Sequence, residues 1–289
     1  MTRSRLLFSA ALWLSLLSLC TGLSGGQTVS TPAPPTYSFG VLAQRSAVLT
    51  AQYWNPILSY VEQQTGVTLQ LKTARTANES RETTQRGDYD FVYSNHIFHP
   101  QLAPAGYQVI LCPRAAAITA QIVTQTDSPL QTLTALQGQK VGFPTQIGFT
   151  GYEVPMDQLL RENIQVTPVF GGNQEGIMAQ FKAGSLVAIA ANSQVLASFA
   201  HREQLTYRVL WESKPYLNLP IAVHPRVPAD IASRVQMALD DMNTNPQGQA
   251  TLAASALVIG QQPPFGFRAA SQADYQNYVE FYQHSLVKP

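Results

Sequence analysis

Along most of the chain, short apolar runs of strand length alternate with segments whose apolar residues recur at helical spacing. Strand-like runs fall at 37–43, 68–73, 91–94, 107–112, 118–125, 140–143, 166–170, 186–190 and 207–212. Helical segments fall between them at 52–65, 78–86, 96–104, 130–136, 151–162, 175–182 and 192–201. Helix-length spacers between strands predict an α/β fold with parallel strands. Gly66, Gly138 and Gly184 stand where helices should stop before the next strand, which gives those boundaries a mechanism. A strand-like 219–224, a helix 229–243 and an aromatic helix 273–285 complete the pattern.

The alternation divides into two α/β blocks. Residues 37–114 form a first lobe, 115–215 a second, and 216–289 return to the first, so the chain crosses between lobes twice and a two-segment hinge is expected. In open α/β sheets ligands sit beyond the carboxyl ends of the strands, and a cleft between two lobes gathers several such ends. No fixed-period repeat is present.

The amino terminus changes the picture. Arg3 and Arg5 precede an uncharged apolar run over 6–19, and small residues follow to Gly26. This reads as an export signal over 1–26, too short to cross a bilayer comfortably. A Thr-, Ser- and Pro-rich tether over 27–36 follows. Cys20 at the end of Leu17-Ser18-Leu19-Cys20 suggests lipid anchoring as a lesser alternative. Periplasmic localisation, with no stable membrane insertion after signal cleavage, is expected. Of all residues 45% are hydrophobic and 12% charged, and the net charge is +1, so no basic patch points to nucleic acid. With Cys20 removed, Cys112 is the remaining thiol and no internal disulfide can form.

The most informative stretch is 141–155, where an apolar strand enters a small-residue turn and then a helix. The free amides of the helix's first turn, its dipole and the Thr150 hydroxyl would converge on one point, as an oxyanion requires. Gly148 and Gly151 place no Cβ between backbone and ligand. The same residues also read as an ordinary strand-to-helix turn capped by Thr150.

Several motifs, in order, carry a family resemblance over nearly the whole mature chain. They are Phe39-Gly40-Val41-Leu42, the helix opening Trp54-Asn55-Pro56-Ile57, Asp90-Phe91-Val92-Tyr93-Ser94-Asn95, the turn ending Thr150-Gly151-Tyr152, Trp211-Glu212-Ser213 and Gly266-Phe267-Arg268-Ala269. The chain resembles the exported substrate-binding proteins of phosphonate, phosphite and phosphate ABC transporters. That family has the type II periplasmic binding fold, with two doubly wound α/β lobes joined by a two-segment hinge. The resemblance implies a small oxyanion ligand, an ABC permease as partner, and no enzyme activity or cofactor.

In that family a Ser-Thr-Ser-Gly turn, first-lobe tyrosines and polar residues of the second lobe hold the anion. Thr150 and Gly151 match the end of the turn and Tyr152 follows, while Gly148 and Phe149 occupy the places of two hydroxyls. Tyr93 matches one binding tyrosine, with Asn95 beside it. The other falls near Thr76, preceded by Arg75, whose planar fork offers bidentate contact to an oxyanion. Arg75 reads equally as a solvated surface residue and Tyr93 as core packing. Gln174 stands in place of a family histidine, and Asn192 opens the polar pair after the 186–191 strand.

Cys112, directly before the expected hinge, carries an alternative. A thiol at the back of the cleft would suit a soft ligand such as arsenite, presented to a membrane histidine kinase, although buried cysteines are often plain core residues. A ligand-free adaptor is a further alternative. His96 and His99, spaced by three, read as a surface pair with no third metal ligand at a telling distance. No nucleophile, acid/base pair or Walker loop points to catalysis.

Overall fold

The computed structural model describes residues 36–288. The signal segment, most of the tether and Cys20 lie outside the described residues. In chain order the elements are β1 (Thr36–Val41), α1 (Ala47–Thr65), β2 (Thr68–Thr73), α2 (Ala77–Gln85), β3 (Phe91–Tyr93), β4 (Gln108–Pro113) and β5 (Ala120–Gln125). Then follow β6 (Lys140–Phe143), α3 (Val154–Arg161), β7 (Thr167–Phe170), α4 (Gln174–Lys182), β8 (Ala188–Asn192), α5 (Ser193–Glu203) and β9 (Tyr207–Glu212). The last are β10 (Ile221–Val223), α6 (Ala229–Asp241), α7 (Pro246–Val258), β11 (Phe267–Ala269) and α8 (Gln276–His284).

These strands build two sheets: a six-stranded sheet of order β11-β4-β10-β3-β1-β2, and a five-stranded sheet of order β7-β6-β8-β5-β9. The parallel expectation holds for β1 with β2 and β3, and for β6 with β7 and β8. It fails for β10 and β11 in the first sheet and for β5 against β8 and β9 in the second, all antiparallel. Of these, β5, β9 and β10 flank the two crossings between sheets, and β11 joins the edge of the first sheet later in the chain. The crossings, 114–119 and 213–220, pair with each other through Ile118 and Tyr216, whose amides and carbonyls exchange bonds of 2.8 Å.

Helix α1 shows how local sequence fixes an element. The Ser46 side chain accepts from the Leu49 amide, and the helix ends at Gly66 with a φ of 68°. Trp54, Ile57, Leu58 and Val61 form its buried face against the first sheet. Because the helix begins at Ala47, Pro56, which donates no amide, sits inside it rather than at its opening. The expected helices at 96–104 and 130–136 are short 3-10 turns, His96–Phe98, Ala103–Ala105 and Leu133–Leu136.

One core cluster joins the two halves. Phe149 from the second half lies against Tyr216 of the crossing and against Tyr278, Phe281 and Tyr282 of α8, with ring centroids 4.3–5.7 Å apart. Phe98 stacks on Tyr275 in the same cluster at 4.9 Å.

Candidate functional site: a cleft between the two sheets

Strand β6 ends at Phe143, and the chain turns through Pro144 to Gly148 into a π-helical turn, Phe149–Glu153, continuous with α3. Gly148 Oxygen accepts from the amides of Tyr152 at 2.7 Å and Glu153 at 3.0 Å. The amides of Phe149, Thr150 and Gly151 come before the first helical bond and have no partner among the described residues. Thr150 is buried at the same turn. Gly151 is required by close packing: a Cβ would run into the Pro144 ring and lie 2.8 Å from Gln174 Nε2.

This turn forms one wall of a cavity of about 390 Å³, counting the space open to solvent. Thr145 and Gln174 line it from the same half. Opposite stand Leu42, Ala43 and Gln44, just beyond the carboxyl end of β1, and Asn95 and His96, just beyond β3. Gln174 is placed by the start of α4 and accepts from the Asn192 amide at 3.2 Å. Asn192 caps α5, accepting from the Gln194 and Val195 amides at 3.0 and 3.1 Å. Buried atoms without partners cluster in this region: Asn95 Oδ1, both ring nitrogens of His96, and Asn192 Nδ2. Orphaned buried polar atoms are costly in a folded core and expected where a ligand completes the bonding.

A second cavity, about 610 Å³ including its open mouth, adjoins the first, since Leu42 and Gln44 line both. Tyr93 lines this one with Arg45, Tyr53 and Trp54. Burial lowers the Arg45 pKa, and its Nε is enclosed without a partner.

The electrostatics behind the turn differ. Burial pushes Glu153 up to about 7, against the bond it accepts from Tyr282 Oη at 2.8 Å. Burial, aided by Arg81, lowers His99 to about 4, so its 3.9 Å approach to Glu153 is not an ion pair at neutral pH. His96 is also lowered to about 4, by burial first and then by His99 and Arg81.

A model of the family described as "ABC transporter, phosphonate, periplasmic substrate-binding protein" matches residues 39–275. The chain belongs to this family. Membership makes it an exported, periplasmic-type substrate-binding protein, with a small-molecule ligand and a permease partner implied. The fold agrees with solved type II periplasmic binding proteins. A binding-protein component of an ABC phosphonate transporter from Pseudomonas aeruginosa is 15% identical, covering 86% of this chain and 87% of its own, with a TM-score of 0.73. PhnD1 from Prochlorococcus marinus, in complex with methylphosphonate, is 12% identical over 86% of this chain and 98% of its own, also at 0.73. A Xanthomonas citri protein bound to chloride ion is 16% identical over 86% and 97%, at 0.68. No curated protein matches the sequence. No helix among the described residues is long and apolar enough to cross a membrane.

For this phosphonate-family protein the structure brings Asn95, Gly148, Thr150, Gly151 and Gln174 to one cavity, puts Asn192 in contact with Gln174, and sets Tyr93 in the adjoining cavity. It sets four other residues elsewhere. Arg75 is a surface side chain, 91% exposed and 3.6 Å from Glu79. Thr76 caps α2, accepting from the Glu79 amide at 3.1 Å. Tyr152 packs between Phe143 and Phe170 because the π-helical turn rotates it away from the cleft. Cys112 is 0% exposed, facing the aromatic core from β4, where burial raises its pKa and disfavours the thiolate. His96 and His99 are not a surface pair: both are buried, and no cluster of metal-ligating groups occurs among the described residues. Phe149, in place of a hydroxyl, anchors the turn to α8 instead.

Sequence reasoning missed Arg45, His96 as a cavity residue, and Thr145. The signal for Arg45 was present, since it lies four residues beyond the carboxyl end of a strand already identified. Thr145 lies inside the stretch singled out at 141–155 and supplies a hydroxyl that the motif comparison assigned elsewhere.

Proposed function

We propose that the protein captures a small phosphonate or related oxyanion between its two halves for delivery to an ABC permease. The observation that carries this reading is the run of three unpartnered amides, at Phe149, Thr150 and Gly151, lining a cavity beside the Thr150 hydroxyl. Amides at a helix start carry partial positive charge and are fixed in place, so they bind an anion with little reorganisation. Asn95 and Gln174 contribute polar contacts from either side of the cleft. That a structural relative is in complex with methylphosphonate supports the same ligand class.

Ligand bound between the halves favours the closed arrangement by its differential affinity for it, and the closed form is what a permease would read. The Glu175 amide already donates across the cleft to the Gln44 carbonyl at 3.4 Å, an arrangement consistent with a nearly closed cleft.

The test is calorimetric titration with methylphosphonate, phosphite and phosphate. Thr150→Val should weaken binding about a hundredfold, or ~2.7 kcal/mol, and leave the melting temperature of the free protein within a degree or two. Wild-type protein that takes up none of these anions would instead behave as a ligand-free adaptor, and the reading would be lost. Arsenite should give no thermal shift that depends on Cys112, because the thiol faces the core.

A further inference from the structure

We propose that the cleft is a two-part site in which Arg45 receives a second acidic group of the same ligand, so that the preferred ligand is a small phosphonate carrying a carboxylate on its carbon chain. The inference rests on the reading of the 149–151 amides as the phosphonate-binding part.

Arg45 lies in the loop between β1 and α1, immediately before the α1 cap at Ser46. Its guanidinium makes no hydrogen bond among the described residues, and its Nε is shut off from solvent. Arg45 is half-buried, and an enclosed guanidinium N–H without an acceptor is unfavourable unless something supplies one.

The groups that face it do not supply them. Tyr53 and Tyr93 are neutral at physiological pH, since burial raises both, Tyr53 to about 12. Glu175 attracts Arg45 from the other half; Arg202 holds its Oε2 at 2.7 Å, and its buried Oε1 is unpaired yet makes no hydrogen bond to Arg45. Arg202 also meets Glu203 at 3.3 Å, and Glu203 meets Lys182 at 2.8 Å. In that chain two cations answer two carboxylates, which leaves the Arg45 charge uncompensated, with Arg202 adding to the positive potential.

Arg45's cavity is otherwise lined by neutral polar groups, Gln194, Asn218 and Gln261 among them, and by no carboxylate among the described residues. It therefore suits an acid and disfavours an ammonium group. Because Leu42 and Gln44 line both cavities, one ligand can occupy both. The planar guanidinium fork matches a carboxylate in bidentate geometry.

The experiment compares methylphosphonate, 3-phosphonopropionate, 2-aminoethylphosphonate and glutarate by calorimetry on the full chain, on Arg45→Gln, on Arg45→Lys and on Thr150→Val. Wild type should bind 3-phosphonopropionate at least tenfold tighter than methylphosphonate, and 2-aminoethylphosphonate no tighter than methylphosphonate. In Arg45→Gln that tenfold ratio should fall below twofold, Arg45→Lys should keep part of it, and melting temperatures should show all variants folded. A wild-type ratio near one, a ratio that survives Arg45→Gln, or a preference for the aminoethyl compound overturns the second part of the site while leaving methylphosphonate capture standing. If no phosphonate binds, or Thr150→Val binds them as wild type does while glutarate still binds, the amide reading itself fails and the two-part site goes with it.

Discussion

Where the π-helical turn meets α8, three tyrosine hydroxyls have acceptors: Tyr275 donates to the Asn218 carbonyl at 2.7 Å, Tyr278 to that of Leu217 at 2.6 Å, and Tyr282 to Glu153 at 2.8 Å. Where the same turn meets the loops after β1 and β3, three amides, Asn95 Oδ1 and the His96 ring lack acceptors or donors among the described residues. Five consecutive residues thus serve both a sealed interior and a cavity wall. Burial is similar on the two sides, and bonding is not. Buried polar groups that stay unpaired next to a void mark a binding site more sharply than burial or residue type does.

The largest effect that should separate the two sides is Phe149→Ala. Phe149 contacts four aromatic rings, and its removal should cost about 3–5 kcal/mol of unfolding free energy, read by denaturant titration. A loss below about 1 kcal/mol would mean the aromatic cluster is not a structural unit.

Next is the pH dependence carried by Glu153. Its folded pKa, about 7, lies above the ordinary 4.5, so the folded state holds a proton that the unfolded chain releases between those values. Its contribution is therefore intact below about pH 4.5 and is lost as pH rises through 7, a change of about 3 kcal/mol. Glu153→Gln keeps an acceptor for Tyr282 and should remove that slope, so the variant should be more stable than wild type at pH 8. Equal slopes from pH 5 to 8 would show that Glu153 is not the titrating group.

On the cavity side, Gly151→Ala places a methyl against Pro144 and Gln174. The clash should cost about 1–3 kcal/mol of stability and abolish methylphosphonate binding, because the turn must shift to admit the methyl. Retained binding with unchanged stability would contradict the tight geometry described for the turn.

The smallest effect belongs to Arg75→Ala. An ion pair this exposed contributes less than about 0.5 kcal/mol, and neither stability nor anion affinity should change measurably. A large loss of affinity would return Arg75 to the site.

Much of the fold was legible because its signals are local. The alternation of apolar runs and amphipathic helices located β1, β2, β3, β6 and β7 to within two residues, and Gly66 stopped α1 where expected. Strand direction was legible from the helical spacers for β1 with β2 and β3 and for β6 with β7 and β8, and not for β5, β9, β10 and β11, since side-chain alternation is the same in parallel and antiparallel strands. Helix α7 was missed for a related reason. Its buried face is Gly248, Leu252, Ser255 and Ala256, which gives little apolar contrast with the exposed side. In the site, the small-residue turn could be read because helix starts expose amides whatever the side chains. Tyr152 went astray because one π-helical turn rotates every later side chain relative to an α-helix. Arg45 has only its position beyond the carboxyl end of β1 as a signal. Its role comes from partners it lacks, and these belong to segments more than a hundred residues away.

The aromatic cluster around Phe149 also ties the cavity wall to the far end of the chain. Rings from the second half, the crossing and the carboxyl-terminal helix are packed there, and Arg161 extends the tie by donating to the His284 carbonyl. The turn that lines the cavity is thereby moored to the carboxyl-terminal helix as well as to its own sheet.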